Sequence, residues 1–140
     1  MRSILLLIAI VLFCFAEAAA QAPSAATFRE SELGKHAFEI GQLRLTIRKL
    51  QGGRGPYITV KVENPSDSAV VFDPQVLSLV NQGNEQVNTS SYSLYYIAPA
   101  LPTRKVLPGA FLTQTYGLDH IVELPARIYY DGKLLAIITE

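Results

Sequence analysis

The chain has 140 residues, with 12 Lys and Arg against 12 Asp and Glu; 49% of it is hydrophobic and only 17% is charged. That balance excludes an intrinsically disordered, acidic or collagen-like chain and leaves room for one domain. A formal charge of zero also argues against a nucleic-acid protein, which needs a basic excess to displace counterions.

The first segment reads as an address rather than as fold. Arg2 supplies a positive start, Ile4 to Phe15 is an uncharged apolar run, and Ala18-x-Ala20 is a small-residue cleavage pattern. This is the layout of a secretory signal peptide, cleaved after Ala20. An uncleaved anchor is the competing reading, but a spanning helix needs roughly 20 apolar residues and this run is shorter. Cys14 does not make a lipoprotein, because Phe13 stands where lipidation wants a small residue. The expected organisation is a signal peptide at 1–20, a flexible lead-in at 21–34 and one β-domain at 35–140, with no integral membrane segment after cleavage.

Cleavage removes the one cysteine and the one methionine. An exported domain without disulfides must be held by its core, which fits a bacterial periplasm or extracellular space better than an animal secretory pathway. Asn88-Thr89-Ser90 matches a glycosylation sequon, which matters only in a eukaryotic host.

In chain order, Gln21 to Glu32 lacks periodicity, which gives the lead-in. Leu43, Leu45 and Ile47 then alternate with polar residues, whereas Phe38 and Ile40 alternate in the opposite phase. Gly41 sits at the switch and reads as a bulge or kink that lets the first strand change sheets. Gly52-Gly53-Arg54-Gly55-Pro56 is a loop, and Tyr57 to Glu63 alternates with Ile58, Val60 and Val62 inward. Asn64-Pro65-Ser66-Asp67 has turn chemistry. Short strands are predicted at Ala69–Phe72, Val76–Val80, Phe111–Leu118, Ala126–Tyr130 and Lys133–Ile138, with a weaker one at Glu85–Asn88. Asp131-Gly132 is a two-residue hairpin turn. Short strands, frequent turn signals and the absence of a sustained helical period predict an all-β, immunoglobulin-like antiparallel sandwich of about seven to nine strands.

A series of positions then carries a resemblance. Gly41-x-Leu43-x-Leu45-Thr46-Ile47 is followed by Tyr57-Ile58-x-Val60-x-Val62-x-Asn64-Pro65-Ser66-Asp67 and Leu77-x-Leu79-x-x-x-Gly83. Leu107-Pro108-Gly109 and Leu124-Pro125-Ala126-x-Ile128-x-Tyr130 complete it. The series resembles the exported immunoglobulin-like domains of the DUF4352 type, related to the mycobacterial MPT63-like antigens, over about residues 36–139. The resemblance implies a secreted or envelope-associated sandwich and carries no catalytic residues over. The stretch Tyr92 to Pro102 departs from it as an insertion.

Little in the sequence points to catalysis. Asp119-His120 with a serine could suggest a hydrolase, but adjacent residues on a strand point to opposite faces, and no Gly-x-Ser-x-Gly elbow occurs. A metal would require folding to gather His36, His120, Asp73 or Asp119, and no closely spaced His pair is present. Gly52-Gly53-x-Gly55 lacks the lysine and helix of a phosphate loop. No catalytic residue, cofactor or metal is expected.

Two stretches are candidates for binding. Arg44 and Arg48 share an outward strand face about 13 Å apart, at ~3.3 Å per residue. They could meet an anionic glycan, a lipid head group or an acidic partner, or simply form a solvated face that protects a strand edge. Tyr92, Tyr95 and Tyr96 could form a rigid contact surface, since tyrosine brings apolar area and a hydroxyl at little entropic cost. Equally, Tyr92 and Tyr96 could be one packed face of a strand. The function expected is a non-enzymatic module binding an envelope or extracellular protein or glycan, through strand edges or the Tyr-rich loop. A small protease inhibitor presenting Ala98 to Arg104 is the alternative, and a small hydrolase using His120 comes last.

Overall fold

A computed structural model describes residues 25–90 and 101–140. The leader expected at 1–20 and the candidate tyrosines Tyr92, Tyr95 and Tyr96 lie outside the described residues. The chain forms β1 (Ala26–Arg29), β2 (Ala37–Ile40), β3 (Leu43–Gln51), β4 (Tyr57–Glu63), β5 (Val70–Phe72) and β6 (Leu77–Val80). It continues with β7 (Gln86–Ser90), β8 (Arg104–Val106), β9 (Phe111–Leu118), β10 (Ala126–Tyr130) and β11 (Lys133–Thr139).

Nine of these strands make one curled sheet in the order β1-β11-β10-β6-β7-β9-β4-β3-β2, and β5 pairs with β8 separately. The curl turns at β7, whose first half pairs with β6 (Leu79 opposite Val87) and whose second half pairs with β9 (Ser90 opposite Gly117). Two layers therefore face one another across a core of alternating side chains. Ile58, Val60 and Val62 of β4 meet Leu77, Leu79, Ile128 and Ile138 there, all fully buried.

Period-2 alternation explains why each of these strands exposes one face, and two departures from it have local causes. Ile40 lies opposite Leu43, so Gly41 and Gln42 are the two-residue turn of a β2–β3 hairpin. Gly41 is at φ +63, which a residue without a Cβ adopts freely. The glycine is thus a turn and not a kink between sheets. Positions 40 and 43 share a face because they are directly paired, which reverses the parity of the apolar pattern. The bulge lies farther on, between Ile47 and Lys49, where the register shifts at Arg48 and Leu50 returns inward.

The stretch read as a flexible lead-in contains a strand. Ala26 to Arg29 runs parallel to β11, with Ala26 opposite Ala136 and Phe28 opposite Ile138. Phe28 is only 6% exposed. Its ring stacks on Phe38 of β2 at 6.0 Å and meets the His36 ring at 4.7 Å. Burying one aromatic ring contributes roughly 2–3 kcal/mol, enough to order a short strand at a sheet edge.

Two buried asparagines fix the connections. Asn64, 1% exposed, fills its side-chain capacity. Its Nδ2 donates to the Ser68 and Val106 carbonyls at 2.7 and 2.9 Å, and its Oδ1 accepts from the Ser66 N–H and hydroxyl at 3.0 and 2.6 Å. The turn after β4 is thereby tied to β8. Asn81 donates from Nδ2 to the Ile121 carbonyl and accepts at Oδ1 from the Glu123 N–H, both at 2.9 Å, which holds the β9–β10 connection. Gly52 approaches the same connection so closely that a Cβ there would collide with the Val122 carbonyl.

Replacing Asn64 by Ala leaves the buried Val106 carbonyl and the part-buried Ser68 carbonyl without their donor and should cost about 2–3 kcal/mol. Urea unfolding should show a lower midpoint at unchanged slope; an unchanged midpoint would mean that water takes over these bonds.

Candidate binding site

The outward face of β2, β3 and β4 carries the two arginines singled out in the sequence, and the fold gives them different surroundings. Arg44 donates from Nε to Glu39 Oε1 of β2 at 3.0 Å and stands opposite Glu63 of β4. Its charge is therefore balanced within the sheet, although exposed pairs of this kind add little stability. Arg48, on the bulge, makes no ion pair among the described residues. It lines an open cleft of about 580 Å³ with Lys35, His36, Thr46, Lys61 and Glu63. One wall is the segment that follows β1, which is held over β3 by the Gly34 N–H donating to the Ile47 carbonyl at 2.7 Å. Lys61 is occupied, with its Nζ 2.8 Å from Glu63 Oε1 and over the Phe111 ring at 4.7 Å. The sequence pointed to Arg48, and to His36 only as a conceivable metal ligand, but not to their association with Lys35 and Thr46, which are far apart along the chain.

A second polar cluster lies just beyond β9. Asp119 accepts the Asn88 N–H at 2.8 Å and the Asn88 Nδ2 at 3.2 Å, and His120 Nδ1 lies 3.1 Å from Asp119 Oδ1. The expectation that neighbouring residues would diverge does not apply, because β9 ends at Leu118 and the chain bends. The other ring nitrogen, Nε2, faces Glu85 Oε1 at 3.9 Å. A Ser-His-Asp arrangement needs a hydroxyl at that nitrogen, and among the described residues none hydrogen-bonds to it. The hydrogen bond that the His120 ring donates to Asp119, and then the charge of Asp119, raise the His120 pKa, with Glu85 adding to the effect. Burial pushes the Asp119 carboxyl up, but the Asn88 N–H, the His120 ring and the Asn88 side chain outweigh it and hold it low.

The remaining candidates are placed as follows. Among the described residues no three His, Cys, Asp or Glu side chains group as metal ligands, and no helix is long and apolar enough to cross a membrane. Of the loop considered for protease inhibition, Leu101 is buried with its carbonyl accepting from Gln75 Nε2 at 2.8 Å. Arg104 pairs with Phe72, so this end of the loop does not project. Tyr116, which no sequence signal distinguished, buries a hydroxyl that has no hydrogen-bond partner among the described residues. Burial pushes its pKa up to about 12, with Arg104 opposing and Tyr130 reinforcing the shift.

These features define a small all-β domain of the immunoglobulin-like sandwich class. The fold is similar to the crystal structure of a secreted protein from Mycobacterium tuberculosis, MPT63, with TM-score 0.56 and 12% identity over 85% of this chain and 100% of that one. It is also similar to the yjhA protein from Bacillus subtilis, with TM-score 0.54 and 14% identity over 75% of this chain and 79% of that one. No family model matches the chain, and no curated protein matches it.

His120 should titrate above an ordinary histidine, and Asp119→Asn should bring its midpoint down, read by the pH dependence of its ring proton shifts. Because the folded pKa is raised, the stability this pair contributes is present below the unfolded value and lost as pH rises through the folded one. A midpoint indifferent to Asp119→Asn would refute the pairing.

Proposed function

We propose that this chain is an exported, non-enzymatic binding module of the DUF4352 type that its motifs resemble, acting on a protein or glycan of the bacterial envelope or extracellular space. The leader-like first segment and the fold likeness to a protein described as secreted support export. The observation that carries the binding reading is the open edge of the main sheet. Among the described residues β2 pairs on one side only, and apart from the Gly34 N–H on the Ile47 carbonyl the far half of β3 has no strand beyond it either. An extended segment of a partner can add to such an edge through main-chain hydrogen bonds, which need no catalytic group and no preformed pocket. Exposed Glu39 on β2 keeps the edge from pairing indiscriminately, as edge charges do. The Tyr-rich stretch is the other contact surface in this reading.

Photo-crosslinking in the native envelope tests it. A photoreactive residue at Glu39 should give a discrete adduct that excess unlabelled protein abolishes, while one at exposed Asp67 should give none. An adduct from Tyr95 alone would move the contact to the Tyr-rich stretch. Equal labelling from Glu39 and Asp67, or an esterase activity that disappears in His120→Ala, would sink the proposal.

A further inference from the structure

The cleft beside Arg48 has features that strand addition does not use. Of the charges lining it, Lys61 and Glu63 cancel one another at 2.8 Å. Lys35 and Arg48 remain, neither in an ion pair among the described residues, and His36 stands beside them with its ring against Phe28. Outside the lining, Glu32 interacts electrostatically with Lys35 and His36. Its Oε2 accepts the Arg29 N–H at 3.0 Å, and that bond, more than the cations nearby, holds its pKa low. Thr46 also lines the cleft. It is 8% exposed, and its hydroxyl makes no hydrogen bond among the described residues. The hydroxyl itself is open to the cleft, and one without a protein partner is available to a ligand.

We propose that this cleft binds a dianionic oxyanion of the phosphate class, inorganic phosphate or a phosphate monoester, with Lys35 and Arg48 supplying charge and the Thr46 hydroxyl donating a hydrogen bond. Arg48 fits this chemistry because a guanidinium presents two parallel N–H donors to a pair of oxyanion oxygens. Two cations outside any ion pair among the described residues match a dianion better than a lone carboxylate, which would leave one charge over. The segment from Leu33 to Ala37 is a wall of the site as well as a connection, and its hydrogen bond to the Ile47 carbonyl fixes the width of the opening. The site does not depend on strand addition at β2, so either proposal can fail without the other.

The test is titration of the isotopically labelled protein with inorganic phosphate at about pH 8, where phosphate is mainly dianionic. Methyl phosphate, dimethyl phosphate and acetate run in parallel. Saturable shifts should concentrate at Gly34, His36, Thr46 and Arg48. Dimethyl phosphate and acetate, each with a single charge, should bind at least about tenfold more weakly. Methyl phosphate binding as well as phosphate would indicate a phosphate displayed on a larger molecule, and phosphate alone would indicate the free ion; both support the site. Arg48→Gln and Thr46→Val should each weaken binding, the former by about tenfold or more. Arg48 is exposed, so its replacement leaves the fold intact. Shifts scattered over all basic residues, acetate binding as well as phosphate, or an unchanged affinity in Arg48→Gln would each overturn the proposal.

Discussion

Phe28 buries its ring where the two terminal strands of a nine-stranded sheet come together, against Phe38 of β2 and against His36 just before it. Because β1 is hydrogen-bonded to β11 on one layer and β2 to β3 on the other, this contact joins layers that no backbone ladder joins on that side. The curl at β7 closes the opposite side. The domain is therefore held at both margins, by main-chain pairing at one and by aromatic packing at the other.

That arrangement settles where ligands can reach. With Phe28 in place, the segment from Glu30 to His36 has to cross between the layers, and it lies over β3 with Gly34 bonded to Ile47. The cationic cleft is the space between this crossing and the outward face of β3 and β4. The same crossing stops at Ala37, and among the described residues the outer side of β2 is unpaired. Asn64 and Asn81 act differently: each uses its side-chain amide to hold a connection.

Much of the fold was legible in the sequence where alternation ran long enough. Ile58, Val60 and Val62 alternate without interruption, and Asp131-Gly132 sits between two β-rich runs; these positions became β4 and the β10–β11 hairpin. β1 was hidden because Ala26-Thr27-Phe28-Arg29 holds a single large apolar residue, too little for any period to register. Gly41 was misread because a phase reversal has two physical origins, a bulge and a two-residue turn, and only the register separates them. In the candidate site, Arg48 stood out as a charge on a strand. Its association with Lys35 and Thr46 depends on where the chain crosses, which follows from Phe28. The pairing of Asp119 with His120 depended likewise on a bend, since both residues lie beyond the end of β9 at Leu118, where strand alternation no longer applies.

The central claim is that residues 26–36 belong to the folded domain and join its two layers. Nuclear Overhauser contacts across the β1–β11 pair, between Ala26 and Ala136, and between the rings of Phe28 and Phe38 test this directly. Both sets should be present in the native protein. Random-coil shifts as far as His36, with neither set of contacts, would contradict the account and take the wall of the cleft with it.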